Sequence, residues 1–218
     1  MYKNLGDVQM KKKFRRYIMG WIASCTIALI IVFILRTFIG ISTTVKGTSM
    51  IFSLYPEDKL FLSTWSTNFA EVPERGEVIT FEAPSVLNLE SSKNYIAIYD
   101  KNSRSFGDKV LYYSLGISKS SFIKRVIGLP GDHIEIKNNC VYINGEKYQE
   151  DYIIGAMKTD MLRGGICDDV IVPENCVYVL GDNRSASMDS RKFGCIPVYK
   201  IEGKVIWRWW PINKFGRV

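Results

Sequence analysis

The chain contains a single histidine, His133, so a serine–histidine–aspartate triad is open to it only through that residue. In His133-Ile134-Glu135-Ile136-Lys137, polar and apolar residues alternate, which sets His133 on the polar face of a half-buried strand with Glu135 and Lys137. A solvent-facing imidazole follows, and a nucleophile would need another base. A lysine can serve when burial populates its neutral amine. Lys124 has the surroundings for this: in Phe122-Ile123-Lys124-Arg125-Val126-Ile127, read as a strand, Phe122, Lys124 and Val126 share one face while Arg125 points to the other. Desolvation should lower the lysine pKa and leave the arginine charged. A lysine snorkelling from an edge strand fits the same pattern. The cysteines offer less. Cys25 lies in an apolar run, and Cys140, Cys167, Cys176 and Cys195 lack the paired spacing of a zinc site. Four cysteines allow three disulfide pairings, and free buried thiols are the simpler expectation. No metal and no cofactor are implied.

The elements that must position such groups begin with an anchor. Residues 17–35 carry no charge and are bounded by Arg16 and Arg36; as a helix this stretch spans roughly 28 Å, about the hydrocarbon thickness of a bilayer. A cleavable secretory signal would have a shorter apolar region ending in a small-residue site, which Arg36-Thr37-Phe38-Ile39 does not supply. We therefore divide the chain into a basic cytoplasmic N-terminus (1–16), a transmembrane helix (17–39) and an extracytoplasmic domain (40–218). Lys3, Lys11, Lys12, Lys13, Arg15 and Arg16 against Asp7 make the first sixteen residues +5 of a total of +7, which places the N-terminus inside. Because the excess is one short block and not a basic surface interleaved with aromatics, nucleic acid is not expected as a partner. Of the 218 residues 47% are hydrophobic and 23% charged, which excludes disorder and fibrous repeats. Beyond residue 40 the sequence reads as mainly antiparallel β. Short β-branched or aromatic runs at 77–81, 122–127, 133–137, 140–143, 176–180 and 204–209 are separated by turn formers such as Pro130-Gly131-Asp132 and Asn144-Gly145. Residues 84–121 break this rhythm and read as an insertion or flap. Trp207 and Trp209 share a strand face and read as core; with Trp210 they also fit an aromatic belt at a lipid interface.

Several stretches together resemble the bacterial type I signal peptidases. They are Gly47-Thr48-Ser49-Met50, then Lys124-Arg125-Val126-Ile127-Gly128-Leu129-Pro130-Gly131-Asp132, then Gly181-Asp182-Asn183-Arg184 through Met188-Asp189-Ser190-Arg191. Arg75-Gly76-Glu77-Val78, Phe193-Gly194-Cys195-Ile196-Pro197 and Trp210-Pro211 extend the likeness over most of residues 40–215, and the single span is similar to the Gram-positive form. The resemblance implies a signal-peptidase-like β catalytic domain and a Ser-Lys dyad in which Ser49 is the nucleophile and Lys124 the general base. It implies that Ser187 orients the lysine and that Arg125 with Asp182, and Asp189 with Arg191, form supporting ion pairs. Val45, Met50 and Ile123 match positions lining pockets for small side chains one and three residues before the cut. The partners implied are secretory preproteins and the lipid bilayer, and the enzyme is expected to act as a monomer at the cell membrane. Gly47 stands where some members supply a serine as oxyanion donor, and Phe52 where the family usually has proline. That departure leaves open a relative dedicated to one surface or pilus substrate, or a non-catalytic binding paralogue.

Overall fold

A computed structural model describes residues 5–38, 40–64, 71–86, 95–99, 120–153 and 167–218. Most of the expected insertion at 84–121 lies outside these residues. The chain separates into two compact units, 1–39 and 40–218. The first is helix α1 (Leu5–Phe38), which is longer than the apolar run because the basic stretch before it, free of glycine and proline from residue 7 to 19, continues the helix. Within α1, Lys12–Val32 is long and apolar enough to cross a membrane and is unburied along its length.

The second unit is built on two antiparallel sheets. The larger contains β1 (Ile41–Thr44), β2 (Lys59–Ser63), β3 (Val78–Glu82), β4 (Ser121–Gly128), β9 (Cys176–Leu180), β10 (Ile196–Pro197), β11 (Ile201–Trp210) and β12 (Gly216–Arg217), ordered β1-β2-β11-β3-β4-β9-β10 with β12 paired to β11. The smaller runs β7-β6-β5-β8, from β5 (His133–Lys137), β6 (Cys140–Ile143), β7 (Glu146–Lys147) and β8 (Asp169–Ile171). Among the described residues a short α-helix, α2 (Ser190–Phe193), starts at an Asp189 cap and stops at Gly194, whose φ of 87° closes it.

Position in the sheet explains the composition of each strand. β5 reads half-in, half-out, as its alternation requires, and His133 lies on its outer face, 2.7 Å from Asp169. β9 is buried along its whole length and is accordingly an unbroken apolar run. β4 lies between β3 and β9, with Ile79 opposite Lys124, and Val78 and Leu180 both opposite Arg125. This places two basic residues in the middle of the larger sheet. Three apolar clusters fill the interior. One is built on Ile134, Val141 and Tyr178, one on Phe81, Val179 and Phe193, and one on Met50, Leu54 and Leu62.

The core reading of the tryptophans is corrected. Val205 is buried, but Trp207, Trp209 and Trp210 are 40–45% exposed, because β11 runs on past the covered part of the sheet. Trp209 Nε1 donates to Ser42 Oγ at 3.0 Å, and Trp207 packs on Phe215.

Candidate active site

Ser49 opens a turn anchored by the apolar residues that follow it. Met50 and Leu54 are buried, and Met50 O accepts from the N–H groups of Ser53 (3.1 Å) and Leu54 (2.8 Å). The burial holds the turn down while the polar Gly47-Thr48-Ser49 stretch stays at the surface, with Ser49 itself half-exposed. Within the turn Phe52 adopts φ +85°, a left-handed conformation that a phenylalanine reaches only at a cost and a proline ring forbids. The turn is held instead through Ser53. Arg125 donates to its Oγ at 3.1 Å, and Arg208 to its carbonyl at 3.0 Å. Arg208 is fixed in turn by Asp58, whose Oδ2 also accepts from the Tyr55 N–H. The sequence reading offered no sign of Arg208, since one arginine on an exposed strand end is unremarkable.

Lys124 is 4% exposed, and its Nζ lies 2.6 Å from Ser49 Oγ and 3.0 Å from Ile123 O. Burial lowers its pKa from 10.5 to about 8; the carboxylates of Asp189 and Asp182 oppose the shift and Arg191 adds to it. A minor but useful fraction of the amine is therefore neutral at pH 7, able to accept the serine hydroxyl proton. The alternation that put Arg125 on the opposite face holds as well. Its guanidinium meets Asp182 in a two-pronged pair (2.9 and 2.7 Å) and donates to Gly76 O.

The loop from Gly181 to Asp189 closes the site. Asn183 N–H donates to Ser49 O at 2.9 Å and Asn183 Nδ2 to Thr48 O at 3.1 Å, so one asparagine grips the two peptide groups that flank the Ser49 Cα. In sequence Asn183 is one residue of an ordinary Gly-Asp-Asn-Arg turn, and no local signal marks this contact. Asp189 and Arg191, both fully buried, pair at 2.8 Å on two prongs, and Asp189 also accepts from the Gly181 N–H. Arg191 passes a further bond to Arg184 O. Ser187 is buried near Ser49, yet among the described residues its Oγ has no hydrogen-bond partner; Lys124 spends donors on Ser49 and Ile123. Gly181 explains how the loop comes so near: a Cβ there would lie 2.2 Å from Ser187 Oγ and 2.6 Å from Ser49 O.

Of the expected pocket residues, Ile123 is partly exposed, whereas Val45 and Met50 are 2% and 1% exposed and belong to the core beneath. Among the described residues no group of three His, Cys, Asp or Glu side chains could hold a metal ion. The Ser49 N–H has no acceptor among the described residues, leaving it available to an oxyanion.

A buried lysine at hydrogen-bond distance from an accessible serine, in a site closed by two buried ion pairs, has the parts for acyl transfer. The model of a family described as signal peptidase, peptidase S26, matches residues 18–210. A signal peptidase IB from Staphylococcus aureus (strain COL) is 31% identical over 213 residues, covering 92% of this chain and 94% of that protein. A signal peptidase I from Bacillus caldolyticus is 31% identical over 218 residues, covering 95% and 97%. A crystal structure of a signal peptidase I from Enterococcus faecalis, 26% identical, covers 62% of this chain and 97% of that one with a TM-score of 0.41.

Proposed function

Because the chain belongs to the signal peptidase family S26, and is therefore a membrane-associated serine peptidase that removes signal peptides from preproteins, we propose that Ser49 is its nucleophile and Lys124 its general base. The observation that carries this reading is the 2.6 Å between Lys124 Nζ and Ser49 Oγ, with the amine buried and the serine within reach of solvent.

Neutral Lys124 accepts the proton of Ser49 as Oγ attacks the scissile carbonyl. The tetrahedral oxyanion takes the free Ser49 N–H, and the lysine then hands its proton to the departing amine. In the second half a water, deprotonated by Lys124, attacks the acyl-enzyme; collapse releases the carboxylate product and returns the proton to Ser49. Arg125 with Asp182, and Asp189 with Arg191, fix the loop that grips the Ser49 backbone. Ser187 orients the lysine, a reading supported by its buried Oγ, which has no hydrogen-bond partner among the described residues. The peptide docks as an extended strand, and small side chains one and three residues before the cut meet shallow pockets with Ile123 in the wall and Val45 and Met50 in the floor. The basic segment before the span sets the N-terminus in the cytoplasm and the catalytic domain outside, acting as a monomer in the bilayer.

Cleavage of a preprotein bearing alanines one and three residues before the cut, by the detergent-solubilised full chain, tests the assignment. Wild type should cut at that bond, and Ser49→Ala and Lys124→Ala should each lose at least about a thousandfold in kcat. Residual activity near wild type in the folded Ser49→Ala variant would remove the serine from the mechanism.

A further inference from the structure

We propose that Glu150 and Tyr152, delivered by the chain as it leaves the smaller sheet, are positioning residues for the Ser49–Lys124 pair. After β7, Tyr148 is still tied to that sheet through its N–H to Val141 O, and the next residues reach the two arginines that hold the catalytic loop. The Tyr152 ring lies 4.2 Å from the guanidinium carbon of Arg125, stacking on the cation whose N–H groups already serve Asp182, Gly76 O and Ser53 Oγ. Glu150 pairs with both terminal nitrogens of Arg184, at 2.9 Å for Nη1 and closely for Nη2. Arg184 is completely buried, and its Nε donates to Gly181 O at 3.0 Å. The two residues are themselves joined, Tyr152 Oη donating to Glu150 Oε1 at 2.7 Å. Burial and the adjacent carboxylate push the phenol pKa upward, so that donor persists across the working range.

The consequence for the chemistry runs through the loop. Arg125 grips Asp182, Arg184 grips Gly181, and between them Asn183 holds the carbonyls of Thr48 and Ser49. Glu150 supplies the charge that lets Arg184 stay buried, and Tyr152 shields the Arg125–Asp182 pair from water, where it would weaken. Arg125 also sets how strongly Asp182 is felt at Lys124, which otherwise faces Asp189 and Arg191. Loosening Arg125 leaves the Asp182 charge less compensated and strengthens its hold on the lysine proton.

This inference rests on the dyad reading above, and the experiment separates the two. Using the full chain in detergent and the same preprotein substrate, kcat, KM and the pH of half-maximal kcat/KM are measured for wild type, Ser49→Ala, Tyr152→Ala, Tyr152→Phe, Glu150→Gln and Tyr152→Ala/Glu150→Gln, with thermal unfolding alongside. Tyr152→Ala should lower kcat about 10- to 100-fold with KM within about twofold, and move the half-activity pH upward. Tyr152→Phe, which keeps the ring over Arg125, should stay within about threefold of wild type, and the double variant should lose less than the product of the single losses. The inference is overturned if Ser49→Ala is dead while Tyr152→Ala and Glu150→Gln keep wild-type kcat and half-activity pH. It is equally overturned if kcat falls only in step with the folded fraction, or if KM alone rises, since the residues would then merely stabilise the fold or touch substrate. Cleavage by Ser49→Ala would instead strike the dyad reading and bring the inference down with it.

Discussion

The pH dependence of cleavage should follow the ionisation of Lys124, and its size can be worked out from the lowered pKa. With a value of about 8 in place of 10.5, about 9% of the enzyme carries a neutral amine at pH 7, against about 0.03% for an exposed lysine. Burial thus raises the population of neutral amine about 300-fold at that pH. The ratio kcat/KM should be half-maximal near pH 8, fall about tenfold for each pH unit below 7, and level off above 9. The same shift has a thermodynamic side. Between pH 8 and 10.5 the unfolded chain holds a proton at this lysine that the folded chain does not, so stability rises with pH across that interval. Below pH 8 the folded protein carries the full penalty of the buried charge, about 3 kcal/mol; above 10.5 it carries none. Lys124→Met keeps the shape without the charge, and should abolish cleavage while raising stability at pH 7 by about 2–3 kcal/mol, an advantage that vanishes above pH 10.5. Initial rates on the alanine-bearing preprotein from pH 6 to 9.5, and thermal or denaturant unfolding of both proteins at pH 7 and 10.5, measure the two effects. A rate profile that is flat over this range, or still rising at tenfold per unit toward 10.5, would refute burial as the activating force, as would a Met variant with the same advantage at both pH values.

Phe52→Pro, which restores the residue usual in the family, should abolish cleavage because the ring cannot take φ +85°, whereas Phe52→Gly should stay active and gain up to about 1 kcal/mol in unfolding stability. Wild-type rates in the proline variant would show that the left-handed turn is not the working conformation. Gly181→Ala forces a Cβ against Ser49 O and Ser187 and should cut kcat by about a hundredfold or more, measured in the same assay. Gly47 has open space around a built Cβ and no positive φ, so Gly47→Ser should fold normally and, by adding a second oxyanion donor, raise kcat several-fold. An unchanged or lower kcat would mean that the added hydroxyl does not reach the oxyanion.

The strands at 133–137, 140–143 and 176–180 were legible to the residue, because each is a β-branched or aromatic run cut off by a turn former. β8, β10 and β12, of two or three residues, were not, since so short a segment is held by its neighbours' hydrogen bonds and not by any pattern of its own. Ile41–Thr44 and Lys59–Ser63 escaped for a related reason: one has weak alternation and the other follows a polar turn with no Gly or Asn-Gly signal. At the site, alternation along β4 by itself assigned Lys124 and Arg125 to opposite faces, and this holds. The resemblance supplied Ser49, Asp182, Asp189, Arg191 and Ser187, which the structure gathers around the lysine from segments up to 142 residues apart.

Local pattern determines whatever depends on neighbours in the chain: the apolar span, the strand faces, the turn at Pro130-Gly131-Asp132 and the embedding of one lysine among apolar residues. The tertiary structure decided what depends on groups distant in sequence. The grip of Asn183 on the Ser49 backbone, the hold of Arg208 on the turn at Phe52 and the reach of Glu150 to a buried Arg184 all join elements that only the packed sheets bring together. A lysine's pKa is of this second kind. Its value is set by how much water the finished fold removes and which charges it leaves nearby, and no window of sequence contains either quantity.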